Sequence, residues 1–426
     1  MTWRVTAALA RALVVGLLAL GGAVVLRAPV LVVLGLPFAG HAVLALLHRP
    51  NGAPRVSSHL GRTVLHEGQG TRSDVTVAGE GIEHVTRAVV SAPYVAMRPR
   101  HGATSALVTE GLPPVLLGAR RWGRRSAGDE HVAVTSAWGG YRAGPYELYG
   151  RTLTVLPQPV TYDAAAGLPH PVGLVGAHRS RRTGDGTEFA ATRPFHVGDR
   201  LRRVNWRVSL RTRELHVDTT LTEEDTGLLL LVDGLADHGR SGGIDGPPSS
   251  LDLTVRAAAA VAGQHVRQGD RVSLRVIGAQ GQQLRPGTGT RHLRRLLEVL
   301  ATIAPEEPRH EPARLDLGVT GGTIVIVLSP MLSPMMATAA AALVRRGLPV
   351  LVVDTLPDDV RPAAVPGTPA DLLELAWRMR LLERDAVMAR LAAIGTPVVA
   401  WRGPGTLDEV LRRLARQARL PRVRVR

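Results

Sequence analysis

The sequence predicts an α+β multidomain protein: two transmembrane helices, a β-sandwich-like domain and a doubly wound α/β domain. Three observations lead there. Residues 1–50 hold two apolar runs of membrane-spanning length, residues 55–160 hold short apolar stretches broken by glycine, proline and polar residues, and from residue 223 onward strand-like and helix-like segments alternate. Residues 161–222 join the last two regions. A chain of 426 residues has room for two or three domains at about 150 residues each, and a hydrophobic content of 45% excludes a fully disordered chain.

The first run, 5–26, is interrupted only by Arg11 and a few small polar residues, and the second, 28–47, contains His41 as its one titratable group. Twenty-two helical residues rise about 33 Å, enough to cross a bilayer core. Only Arg27 and Pro29 mark the junction, so the pair reads as a tight helical hairpin. Arg4 and Arg11 flank one end and Arg49, Arg55 and Arg62 follow the other, which predicts a multi-pass protein of the cell membrane with both termini cytoplasmic. Arg11 can snorkel to the headgroups, and His41 reads as a satisfied or interfacial group. A cleaved signal peptide is the competing reading, because Arg4 and Arg11 precede an uncharged run, although a second span then follows at once.

In the β region, candidate strands run over 73–78, 88–95, 106–109, 131–135 and 153–156, the pattern of a small antiparallel sandwich or barrel. Residues 138–146, with three aromatics among glycines and a proline, read as a turn-rich corner. The stretch 161–187 reads as a connecting loop with a basic cluster at Arg179, Arg181 and Arg182, a solvated charge run beside which contact with anionic lipid is the sharper alternative.

The α/β region opens with the continuous apolar run 228–232, ending at Asp233, as a buried parallel strand does. Helices are then expected over 251–266, 290–302, 335–346, 370–394 and 406–419, and strands over 272–277, 323–328, 349–353 and 397–400. Such alternation gives right-handed crossovers and helices on both faces of a sheet.

Charge excludes less than it first suggests. The net charge is +16, yet every one of the 52 basic residues is arginine, which reads as a compositional preference rather than selection for phosphate contacts. Aromatics at 3% argue against single-strand binding by base stacking, so no specific nucleic-acid partner is expected. The absence of cysteine removes disulfides, thiolate metal sites and cysteine nucleophiles together. No catalytic set, cofactor site or nucleotide loop is visible: Glu223, Glu224 and Asp225 are adjacent and point apart, and the 286–290 segment Pro-Gly-Thr-Gly-Thr lacks the lysine of a phosphate loop and reads as a helix cap.

Between the β and α/β regions lie Arg193, Phe195, Gly198, Asp199, Arg203, Trp206, Ser209, Arg211 and Leu215. Gly198 and Asp199 suit a turn, and Arg203 and Trp206 are spaced to share one face of a short helix, so an aspartate with several nearby arginines and a tryptophan points to a buried charge network. This stretch resembles the signature of the DUF58 family, with Phe195 where tyrosine is common and Asn205 where aspartate is common. The resemblance implies an N-terminal pair of membrane spans, a β-rich domain and a von Willebrand factor A-like α/β domain. It also implies a partnership with an AAA+ ATPase of MoxR type, with Arg193, Gly198, Asp199, Arg203, Trp206 and Arg211 in structural or interface roles. Metal-binding A domains end their first strand in Asp-x-Ser-x-Ser, whereas this chain offers Asp233, Gly234, Leu235, Ala236 and Asp237, which leaves Asp233 and Asp237 as weak candidates for an ion. The expected docking face is the strand-end region 233–240 and 329–333, with the glycine-, serine- and proline-rich loop 238–250. The reading is therefore a membrane-anchored, cytoplasmic-facing scaffold or adaptor, with a hydrolase-like enzyme or an arginine-driven nucleic-acid binder as rivals.

Overall fold

The computed structural model describes residues 2–158, 183–196, 199, 201–221, 227–278, 281–306, 323–362, 364–403 and 406. Arg179, Arg181 and Arg182, the acidic run 223–225, Gly198, the connecting loop up to residue 182 and nearly all of the expected closing helix lie outside the described residues. Two compact units emerge, 1–157 with 243–245, and 158–242 with 246–426.

In the first unit, helices α1 (Ala7–Val25) and α2 (Val30–Leu47) form the expected hairpin, with mean hydropathies of 2.2 and 2.3. They rise about 28 and 27 Å. Both are shorter than the apolar runs. Arg4–Val5 is instead a strand paired with Tyr141 and Arg142, and residues 26–29 make the turn, with Arg27 at φ 49°. Small residues let the helices touch: a Cβ on Gly35 would sit 2.8 Å from Ala19 Cβ, and one on Gly16 would sit 3.1 Å from Ala39 N. Thr6 caps α1 by accepting from Leu9 N at 3.2 Å, and its hydroxyl donates to Gly139 O at 2.7 Å. Leu9, Ala12, Ala42 and Ala45 pack on Tyr141, and His41 Nε2 lies 2.8 Å from Trp138 O. Both ends of the hairpin therefore enter the β region.

That region holds three sheets. One orders strands 4–5, 141–148, 129–136, 82–90 and 103–107; a second orders 55–60, 70–78, 115–119 and 95–98; a third orders 64–66, 152–156 and 123–126, its first pair parallel. Val85, Val132 and Val134 of the first sheet meet Val56, Val75 and Val77 of the second, while Leu65, Leu117, Leu153 and Val155 form a second apolar cluster. The expected corner at 138–146 is corrected: Ala137–Gly139 is one 3₁₀ turn and Tyr141–Leu148 is a strand. Gly144, at φ 98°, carries the chain across a bulge opposite Val132–Val134, where a Cβ would lie 2.7 Å from Val132 O. The glycine that suggested a turn is what keeps the strand paired.

A charged network is buried in this unit. Arg87 and Glu130, both with side chains at 0% exposure, form an ion pair, and Arg151 Nη1 reaches the other carboxylate oxygen of Glu130 at 3.0 Å. Ser73 Oγ accepts from Arg87 at 2.6 Å and from Arg151 at 2.7 Å. Burial lowers the pKa of Arg87, and Glu130 opposes that shift.

In the second unit, strands Thr183–Pro194 and His216–Leu221 pair antiparallel around helix α3 (Trp206–Thr212). The parallel sheet follows, with β1 (Gly227–Asp233), α4 (Ser250–Arg267), β2 (Arg271–Ile277), β3 (Gln283–Gly287), α5 (Gly289–Leu300), β4 (Ile324–Ser329), α6 (Pro334–Arg345), β5 (Val350–Asp354), α7 (Ala370–Ala393) and β6 (Val398–Ala400). Strand order is β3-β2-β1-β4-β5-β6, parallel throughout except for edge strand β3, which the sequence had not indicated. Leu229, Leu231, Val325 and Val327 pack under Met336, Ala340 and Leu343 of α6 and Leu391 of α7. Helix α4 shares none of that cluster and packs against β1, β2 and β4 from the opposite face. Its start is fixed by a reciprocal capping box between Ser249 and Asp252.

Candidate functional site at the strand ends of the α/β unit

The strand order reverses between β1 and β4, and in such sheets ligands bind beyond the carboxyl ends of the strands at that point. Asp233 closes β1 and Ser329 closes β4. Ser329 Oγ donates to Asp233 Oδ2 at 2.6 Å and accepts from Met331 N at 2.8 Å, while Asp233 Oδ1 accepts from Leu235 N at 3.0 Å. Gly234 permits this closure, since a Cβ there would sit 3.0 Å from Val276 Cγ1. Asp233 is 3% exposed, and burial pushes its pKa up to about 6 against the hydrogen bonds from Ser329 and Leu235.

Asp237, the other acidic candidate, accepts from Leu251 N at 3.1 Å in the first turn of α4. The side chain of Leu235, between the two aspartates, is buried and offers no oxygen. With both Asp233 oxygens already engaged by donors, this constellation does not fit a hard divalent cation. Among the described residues, no group of three His, Asp or Glu side chains converges on a point.

A cleft of about 1330 Å³ opens beside the ends of β5 and β6, lined by His238, Arg240, Asp354, Trp377, Arg380 and Trp401 among others. Asp354 ends β5 and pairs with Arg384 of α7, whose Nε donates to Pro330 O at 2.7 Å. Trp401 follows β6 and donates its backbone N–H to Asp354 O at 2.7 Å. The His238 and Trp377 rings stand 5.9 Å apart, tilted by 42°. Burial, then Arg380, lowers the pKa of His238 below the imidazole norm, against Asp237. The walls thus combine aromatic faces with guanidinium and carboxylate groups, which suits a polypeptide segment bearing both apolar and charged side chains. His238, Asp237 and Arg240 lie in the expected docking stretch. Trp377, Arg380 and Trp401 were missed, because nothing in their spacing ties them to residue 238.

The signature residues lie elsewhere in the unit. Arg193 grips Asp199 with both nitrogens, at 2.7 and 2.8 Å, and His196 N donates to the same carboxylate at 2.8 Å. The Arg193 hydrogen bonds, then that of His196, hold Asp199 below the usual carboxylate range. The expected shared helical face is corrected: Arg203 belongs to the 3₁₀ turn Leu201–Arg203, whereas Trp206 opens α3 after its N-cap Asn205. A residue that caps must leave helical φ/ψ, and this breaks the segment in two. The expected buried charge network does not include the tryptophan. Trp206 is 62% exposed, Leu210 one turn on is 78% exposed, and Arg211 is exposed beside them. Asn205 Nδ2 donates to Asp218 at 3.0 Å and Thr192 Oγ1 donates to the same carboxylate at 2.7 Å. Asparagine supplies the donor that an aspartate at 205 would lack.

Fold and site together define a mixed α/β protein with an apolar N-terminal helical hairpin, several β-sheets, and a cleft at the strand ends of a largely parallel sheet. The model of DUF58, a family described as a protein of unknown function, matches residues 191–366, a stretch that holds most of the signature segment and the sheet through β5. The chain is 30% identical over 138 residues to the uncharacterized protein Mb1516 of Mycobacterium bovis and to the uncharacterized protein Rv1480 of Mycobacterium tuberculosis. The aligned stretch is 32% of this chain and 42% of either relative.

Proposed function

We propose that the protein is a membrane-anchored adaptor whose α/β unit, of von Willebrand factor A-like type, binds a partner protein at the strand-end cleft. The partner that the DUF58 resemblance implies is an AAA+ ATPase of MoxR type, which supplies the energy for assembly or maturation of a client. The observation that carries this reading is the cleft itself, a wide opening with two tryptophans and charges of both signs, where open α/β sheets bind ligands. The strand order and the antiparallel edge strand support the A-like assignment. The exposed Trp206 and Leu210 within the family segment support a protein-binding role, since exposed apolar side chains that lie together mark interaction surfaces.

The hairpin inserts in the membrane with both ends on the cytoplasmic side, a reading supported by arginine placement and by the entry of both helix ends into one β unit. Because the chain contains no cysteine, a single Ser57→Cys in the exposed strand that follows α2 reports on the side directly. It should react with an impermeant maleimide only after permeabilisation, and labelling of intact cells would reverse the orientation. For the partner, native purification from the protein's own cells, with and without ATP, should enrich an AAA+ ATPase. Combined Trp377→Ala and Arg380→Glu should reduce that enrichment. Recovery of no ATPase, together with turnover of a substrate by the purified protein alone, would replace the adaptor by an enzyme.

A further inference from the structure

Helix α7 carries two opposite faces. Val387, Met388 and Leu391 pack into the core beneath β5 and β1, and Arg384 pairs with Asp354, so one side fixes the helix to its domain. The other side presents Leu372, Leu375, Met379 and Leu382, exposed by 53, 55, 57 and 69%. Their spacing of three, four and three residues is that of the a and d positions of a heptad, and Ala386 and Ala389 continue it, also exposed. A run of six such positions over the 24-residue helix is unlike the scattered single apolar residues of an ordinary surface.

The flanks name the occupant. With Leu372 at a, position g holds Arg378 and Asp385 and position e holds Glu383 and Arg390. In a parallel pair, g of one helix faces e five residues on in its partner. Arg378 would then meet Glu383, and Asp385 would meet Arg390, both pairs of opposite sign and each occurring twice about a two-fold axis. Among the described residues, neither Arg378 nor Glu383 has an ion-pair partner within its own chain. Such self-complementarity is a property of two identical helices.

We propose that α7 is a self-association surface, through which the protein pairs with a second copy in a parallel two-helix seam. Because the helix is already held by its inner face, little ordering opposes the association. The stripe lies outside the DUF58 match and on the far side of α7 from the cleft, so the inference is independent of the proposed adaptor function.

The cysteine-free background supplies the test. Full-length Leu375→Cys, in native membranes under mild oxidation, should form a disulfide-linked dimer, because d positions face each other in a parallel pair, whereas Glu374→Cys at position c should remain monomeric. By light scattering in detergent the wild type should be a dimer and Leu375→Asp a monomer with an unchanged melting midpoint. Arg378→Glu alone should weaken the dimer about tenfold, and adding Glu383→Arg should restore it. A monomeric wild type, a dimer that persists in Leu375→Asp, or no cross-link at residue 375 overturns the proposal and leaves the stripe to lipid or another protein.

Discussion

Ser329 Oγ donates to Asp233 Oδ2 over 2.6 Å, which ties together the ends of the two strands between which the sheet reverses its order. The Asp233 carboxyl in this contact is buried. Its protonation state therefore bears on the stability of the α/β unit.

The first prediction concerns pH. Asp233 has a folded pKa of about 6 against the usual 3.8, so the folded state binds the extra proton between those values. The resulting stabilisation is fully present below pH 3.8 and is lost as pH rises through 6. From the two values its size is about 3 kcal/mol. Asp233→Asn, which mimics the neutral form, should therefore gain on the wild type by that order between pH 4 and 7 in denaturant titrations of the α/β unit. Curves that stay parallel across this range would contradict the raised pKa.

The second concerns metal. Leu235 offers no ligand oxygen, and Asp233 already receives two donors. Calorimetry with magnesium, manganese and calcium should show nothing tighter than about 1 mM. A micromolar isotherm abolished by Asp233→Ala would restore an ion site.

The third concerns the β unit. Glu130→Gln leaves the guanidinium of Arg87 buried without its counter-charge and should cost about 3–5 kcal/mol in the urea transition of that unit. By contrast, Arg72→Ala breaks an ion pair with Asp74 in which the arginine is 62% exposed, and should cost at most about 1 kcal/mol. Equal costs for the two variants would mean that the buried network does not organise the core.

The fourth concerns the signature. Because Trp206 is 62% exposed, Trp206→Ala should change stability by no more than about 0.5 kcal/mol. If the ring serves in docking, the same variant should lower recovery of the partner. A loss of several kcal/mol would place the ring in a core instead.

The α/β alternation was legible in the sequence because each buried strand is a continuous apolar run. Residues 228–232 announce β1, and the expected helix at 251–266 is α4 within a residue at each end. The hairpin was legible for a similar reason, although its span was overdrawn, since hydropathy cannot tell that Arg4–Val5 would pair with Tyr141 and Arg142. Within the β unit the strands 55–60 and 115–119 escaped notice, because polar alternation in Ser57, Ser58 and His59 and a glycine at 118 resemble loop. The Arg87–Glu130–Arg151 network was not legible at all, for Arg87 and Glu130 stand on two strands that only the sheet pairing brings together, and Arg151 lies just before a third. Tertiary packing likewise decided the fate of Trp206, whose residue type suggests a core that its short helix does not face.

The most direct test of the adaptor account is a binding measurement with the full-length protein in lipid nanodiscs and a MoxR-type ATPase from the same genome, carried out with and without ATP. Saturable binding is expected, weakened by about tenfold or more when Trp377→Ala and Arg380→Glu are combined at the cleft. No binding in either nucleotide condition, or equal binding by the double variant, would contradict the claim that this cleft receives the ATPase.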